Sequence, residues 1–147
     1  MESWFIYEPI PQPSLPLTTA EIEGIMAQSV IVLERDPKLA RSLAGGLRPH
    51  FHSVHLTRSH DEMRKKVAAN RPDAVVLDIE HWRLTDVQTL RRDFPALSII
   101  CTHRVPDEEM WMAAMEAGAS DVCPSDDVAT VLTSVLRNTE LSRGAAA

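Results

Sequence analysis

The sequence predicts an α/β domain built on a doubly wound, five-stranded parallel sheet, and three observations predict it. Val30-Ile31-Val32-Leu33, Ala74-Val75-Val76-Leu77 and Ile99-Ile100-Cys101 are short continuous apolar runs, the pattern of strands buried on both faces. Helix-period segments separate these runs, so that strand and helix alternate along the chain. The connections between them are short, as β–α–β crossovers require.

The elements follow in order. Residues 1–27 read as an N-terminal extension outside the core, with Trp4-Phe5-Ile6-Tyr7 followed by Pro9, Pro11, Pro13 and Pro16, a spacing that favours extended, helix-free chain. Thr18 and Glu21 then form a capping box for a short helix to about Met26. The domain proper is expected over residues 28–140, and residues 141–147 as a C-terminal tail. After the first strand, Leu39, Leu43 and Leu47 recur every four residues, although Gly45-Gly46 weakens that helix by roughly 1–2 kcal/mol. Ser53 to Thr57 alternates, with Val54 and Leu56 apolar, as in an edge strand. Ser59 with Glu62 caps a helix carrying Met63 and Val67, and Leu84 to Arg92 forms a short helix. Pro106 sits where the next helix would begin, with Asp107, Glu108 and Glu109 suited to its positive N-terminal end and Gly118 closing it. Val122-Cys123 supplies a short fifth strand. Val128, Val131, Leu132, Val135 and Leu136 mark one stripe of the last helix.

Composition narrows the functional classes. The 147 residues are 44% hydrophobic and 24% charged, ordinary soluble material for one domain. The net charge of −6 argues against a dedicated nucleic-acid binder. Residues 1–27 hold Glu2, Glu8, Glu21 and Glu23 without Lys or Arg, so the remainder is close to neutral. No secretion signal or membrane span is evident. Cys101 and Cys123 read as reduced, buried thiols, and a cytoplasmic location is expected.

In a doubly wound sheet the functional crevice lies beyond the carboxyl ends of the strands. Those ends carry Glu34-Arg35-Asp36-Pro37, Asp78, Thr102-His103 and Pro124-Ser125-Asp126. An acidic cluster, a lone aspartate and a hydroxyl at one rim suggest ligation of a hard cation and phosphoryl chemistry.

From about Ser29 to Arg137, about three-quarters of the chain, the sequence resembles the receiver domain of two-component response regulators. The stretches SVIVLERDPKLARSL, RPDAVVLDIE, SIICTH and AGASDVCPSDD fall in that family's order and near its spacing. The resemblance implies a flavodoxin-like sheet of strand order 2-1-3-4-5 with five helices. It places Asp78 at the aspartate that accepts phosphate from a histidine kinase, Thr102 at the switch hydroxyl, and Glu34 at the first of two acidic magnesium-holding positions. It also implies a partner or homodimer surface on helix 4, strand 5 and helix 5.

Departures from the family pattern weigh against ordinary phosphorylation. Arg35 occupies the second acidic position, and Ser125 stands where the family has a lysine that pairs with phosphate. Val122 replaces the aromatic switch residue, Trp82 a proline and Asp86 a glycine. A phosphoryl group would bring roughly two negative charges beside Glu34 and Asp36, and these need a divalent cation or basic side chains. Arg35 is read two ways: its guanidinium pairs with Asp78 and mimics a cation, or it points to solvent. A magnesium site of Glu34, Asp36 and Asp78 requires Asp36 to swing in as the replacement ligand.

His50, His52 and His55 lack the partners of a metal site and are expected to flank the edge strand. His103 is expected to fill or cover the pocket. Met110, Trp111, Met112 and Met115 cannot all face the core, so part of that helix is expected to be exposed for protein binding. The leading expectation is a stand-alone, non-enzymatic, phosphate-independent receiver acting as a protein-interaction module in phosphorelay-type signalling. One alternative is a working phosphoreceiver limited to autophosphorylation of Asp78 with magnesium and slow dephosphorylation. Another is a flavodoxin-like ligand-binding domain or small enzyme.

Overall fold

The computed structural model describes residues 28–146. The aromatic arm and the helix expected before Met26 lie outside the described residues. Five strands, β1 (Ser29–Leu33), β2 (Ser53–Thr57), β3 (Ala74–Asp78), β4 (Ser98–His103) and β5 (Asp121–Pro124), form one parallel sheet in the order β2-β1-β3-β4-β5. The helices are α1 (Pro37–Leu47), α2 (His60–Asn70), α3 (Leu84–Asp93), α4 (Glu108–Ala117) and α5 (Val128–Ala146), with one 3₁₀ turn at Arg48–His50. This is the flavodoxin-like order expected from the sequence.

Strand alternation builds two cores, one on each face of the sheet. Ile31, Leu33, Val75, Leu77 and Ile99 face one way and pack with Met63 and Val67 of α2, Val87 and Leu90 of α3, and Ala114 of α4. Val30, Val32, Val76 and Ile100 face the other way, against Leu43 and Leu47 of α1 and Val131 and Val135 of α5. Because both faces are covered, the central strands need apolar side chains at every position, which is why they read as unbroken runs. Cys101 belongs to the first core and Cys123 to the second, so the two thiols face opposite sides of the sheet and are free. Burial pushes Cys101 up to about 12 and Cys123 up to about 11, which keeps both protonated and unreactive.

The local signals act largely as expected. Ser59 Oγ accepts from the Glu62 amide at 3.1 Å, while Glu62 returns its carboxylate to the Arg58 amide at 2.9 Å. Asp107, one residue beyond Pro106, caps α4 by accepting from the Met110 amide at 2.8 Å, so the helix starts later than the proline suggested. Asp86 accepts from the Arg83 amide at 3.2 Å and stabilises the first turn of α3, a role for a carboxylate at that position. On the edge strand Val54 packs against the second core. Leu56, expected on the same face, is 37% exposed.

Two glycines are fixed by close approach. Gly118 ends α4 with φ of 115°, and a Cβ there would stand 2.8 Å from Arg91. Arg91 crosses from α3 to donate to the carbonyls of Gly118, Pro95 and Leu97 and to Ser120 Oγ. Gly46 faces α5, and a Cβ on it would collide with Cγ1 of Val128. Neighbouring Gly45 meets nothing within 4 Å. The weak-helix signal of Gly45-Gly46 therefore has a packing cause at one position and none at the other. Gly46→Ala is expected to destabilise the fold by about 1–3 kcal/mol through overpacking. Gly45→Ala is expected to stabilise it by roughly 0.5–1 kcal/mol through helix propensity. Urea unfolding midpoints of the two variants, moving in opposite directions, check this.

Candidate functional site at the carboxyl edge of the sheet

The order β2-β1-β3-β4-β5 reverses between β1 and β3, and the crevice opens beyond their carboxyl ends. Asp78 is the last residue of β3, 1% exposed, and lies in register with Thr102 on β4. Glu34 follows β1 and is 7% exposed. Glu34 and Asp78 meet across the crevice. Burial outweighs the lowering effect of the Asp36 amide and, with the Asp78 carboxylate beside it, pushes Glu34 from its ordinary 4.5 up to about 7. Near neutrality Glu34 is thus prone to hold a proton.

Both oxygens of Asp78 are engaged from its own loop. Oδ1 accepts from the Glu80 amide at 2.8 Å, and Oδ2 lies 2.5 Å from Nδ1 of His81. The loop is also tied sideways to β4. The Ile79 amide donates to the Thr102 carbonyl at 3.0 Å. The Glu80 carboxylate lies 3.8 Å from Nε2 of His103 and 3.8 Å from Nε of Arg104. His103 therefore turns to Glu80 and does not cover Asp78. Its Nδ1 accepts from the Val105 amide at 3.1 Å, which leaves the proton on Nε2, toward Glu80.

Of the residues named from sequence, Glu34, Asp78, Thr102 and Ser125 are all buried. Thr102 Oγ1, Ser125 Oγ and Glu34 Oε1 have no hydrogen-bond partner among the described residues, an arrangement that costs about 1–3 kcal/mol per group. Arg35 is exposed, and among the described residues no ion pair links it to Asp78. Of the two readings of Arg35, the solvent-facing one agrees with this. His81 is the side chain that meets Asp78.

Of the three carboxylates named for magnesium, Glu34 and Asp78 meet but Asp36 does not join them. Asp36 serves as N-cap of α1, with Oδ1 accepting from the Lys38 amide at 2.9 Å, and its Oδ2 is 3.9 Å from Arg104. Among the described residues no group of three or more His, Cys, Asp or Glu side chains is placed to hold a metal ion, and the three histidines near β2 form no such group. The orphaned Glu34 Oε1 and the Glu34–Asp78 pair offer a divalent cation two carboxylates. Arg35 adds none and Asp36 is committed elsewhere, so the donor set does not fit the metal site that the resemblance implies.

His81, Glu80 and Arg104 were missed in the sequence. The available signal was a histidine three residues after the acceptor aspartate, within reach of it in any tight turn. Arg104 carried no signal, since only folding brings it opposite Glu80.

Against known proteins, no family model matches the chain. Response regulator MprA of Mycobacterium sp. strain KMS is 29% identical over 129 residues, covering 81% of this chain and 55% of that protein. The chain thus spans about half the length of the curated relatives it matches. The BeF3-activated DrrB receiver domain superposes with TM-score 0.69 at 19% identity, over 78% of this chain and 99% of that one. An atypical orphan response regulator, described with a phosphorylation-independent regulatory mechanism, superposes with TM-score 0.70 at 16% identity, over 77% of this chain and 96% of its own. No described helix is long and apolar enough to cross a membrane.

The Glu34 environment sets a pH dependence. A folded-state value above the unfolded one contributes stability that is complete below pH 4.5 and is lost as the pH rises through about 7. In metal-free buffer the wild type is expected to lose up to a few kcal/mol relative to Glu34→Gln between about pH 5 and 7.5. Paired urea titrations across that range measure the difference.

Proposed function

From the premise that this chain is a receiver domain of the response regulators of two-component signalling, we propose that it signals without phosphate, as a protein-interaction module. The observation that carries this reading is that the basic side chains facing Asp78 and its loop already have acidic partners, while Arg35 lies outside that set. Arg104 faces Asp36 and Glu80, His103 faces Glu80, His81 meets Asp78, and Arg35 is exposed. Ser125 brings a hydroxyl where an ordinary receiver brings an ammonium. The two negative charges of an aspartyl phosphate would enter a buried pocket beside Glu34 with no counter-charge reserved for them.

Other contacts tie the ends of the same two strands, β3 and β4. In an ordinary receiver the phosphoryl group joins the acceptor strand to the hydroxyl on β4. Here Ile79 joins the loop after Asp78 to the Thr102 carbonyl and Glu80 joins it to His103 and Arg104, while the Thr102 hydroxyl has no partner among the described residues. This holds one arrangement of the rim, and the output passes to a protein partner or a histidine kinase. The chain has no catalytic role beyond the residual chemistry of Asp78.

The partner surface we favour is the α4 side. Trp111 is 44% exposed and Met112 51%, and Val105 at the start of the preceding loop is 76% exposed. Exposed aromatic and thioether side chains of this kind mark protein contacts.

Exposure to acetyl phosphate with magnesium, followed by intact-mass measurement, tests the central claim. No adduct is expected under conditions that label an ordinary receiver. A magnesium-dependent phosphate adduct, absent in Asp78→Asn, would make the chain a working phosphoreceiver instead. Trp111→Ala is expected to weaken self-association or partner binding while leaving the unfolding midpoint within about 0.5 kcal/mol. Sedimentation velocity over a concentration series follows the self-association arm.

A further inference from the structure

Among the groups the proposed function leaves without a role, His81 is the one whose geometry is most specific. Its Nδ1 lies 2.5 Å from Asp78 Oδ2, in line with the other loop bond, from the Glu80 amide to Oδ1 at 2.8 Å. Asp78 is 1% exposed, whereas the His81 side chain is 36% exposed. The imidazole therefore stands between a buried carboxylate and solvent. Two carboxylates, Glu34 and Asp78, share this crevice, and neither Arg35 nor Asp36 completes a metal site there. Such a pair is unstable in a low-dielectric site unless a donor or cation meets it.

We infer that His81 is a positioning residue that takes the place of the metal, its Nδ1–H holding the Asp78 carboxylate and thereby closing it to divalent cations. This deepens the phosphate-independent reading and rests on it. The bond needs only a proton on Nδ1, which both the neutral tautomer and the imidazolium provide. The loop that carries His81 is restrained at both sides, by Ile79 on Thr102 and by Glu80 on His103 and Arg104. Downstream, Asp86 on the Arg83 amide fixes its exit into α3. A histidine on so short and pinned a segment has few alternative positions, so the contact is built in and not incidental.

Removing the donor should leave the Glu34–Asp78 pair with uncompensated charge and raise its affinity for a divalent cation. Magnesium alone is the probe, and the backbone amide resonance of Glu80 is the reporter, because it donates to Asp78 directly. The wild type, His81→Ala, His81→Phe and the double variant His81→Ala with Asp78→Asn are titrated with magnesium chloride. Phe keeps a ring of similar size but has no donor. Roughly tenfold or greater tightening of magnesium binding is expected in both single variants, and its loss in the double variant. Unchanged magnesium response in His81→Ala, with the resonances of the strands in place, would overturn the assignment. Tightening in the Ala variant but not in the Phe variant would also overturn it, since bulk and not the hydrogen bond would then be the barrier. The two readings fail separately. A phosphate adduct on the wild type removes the phosphate-independent function, whereas an inert His81→Ala removes only the role of His81.

Discussion

The burial of two carboxylates side by side, Glu34 and Asp78, is the constraint on which the rest of this rim depends. A parallel sheet covered on both faces leaves its strand ends as the place where polar groups can gather. The reversal of strand order between β1 and β3 brings these two ends together. Once both carboxylates are there, each must be compensated or protonated. Glu34 is pushed up to about 7 by that burial and by its neighbour. Asp78 is met by a backbone amide and by His81.

The surrounding residues read as consequences. Asp36 is drawn away to cap α1, which removes a third carboxylate from a crowded site and gives Arg104 a partner at 3.9 Å. Glu80, exposed on the loop, gathers His103 and Arg104 and so links the β3 and β4 ends. Each of these surface pairs is weak by itself, on the order of 0–1 kcal/mol. Their importance lies in geometry: with the Ile79–Thr102 bond they leave the acceptor loop little freedom. In an ordinary receiver that freedom is what phosphate removes. A receiver whose loop is already restrained has less conformational change left for phosphate to drive.

The contrast between α4 and the acidic rim fits the same picture. Every strong local signal in α4 is satisfied internally, from the Asp107 cap to the Gly118 terminator, and Ala114 and Ala117 alone of its residues are buried. Trp111 and Met112 are therefore not held out by a packing conflict within the domain. They lie on a helix whose Ala114, Ala117 and Met115 meet the core while Trp111 and Met112 meet solvent.

The sequence by itself determined the sheet, the helix order and the polar residues that gather at its carboxyl rim. Period, caps and turn residues are local, and the unbroken apolar runs of β1, β3 and β4 report two-sided burial directly. It also determined the departures at positions 35 and 125, since these need only a count from neighbouring motifs. Tertiary structure decided which basic side chain meets Asp78. Arg35 adjoins the acidic cluster in sequence, yet it faces solvent while His81 closes on the carboxylate from the next loop. It decided that Asp36 caps a helix, that His103 serves Glu80, and that Gly46 is required while Gly45 is not. The Glu80–His103 and Gly46–Val128 contacts join elements far apart in the chain, and no periodicity encodes them, whereas the Asp36 cap and the His81 contact are short-range choices among several local partners. A side chain's neighbours in space are set by the packing of the whole sheet, whereas its secondary structure is set within a few residues.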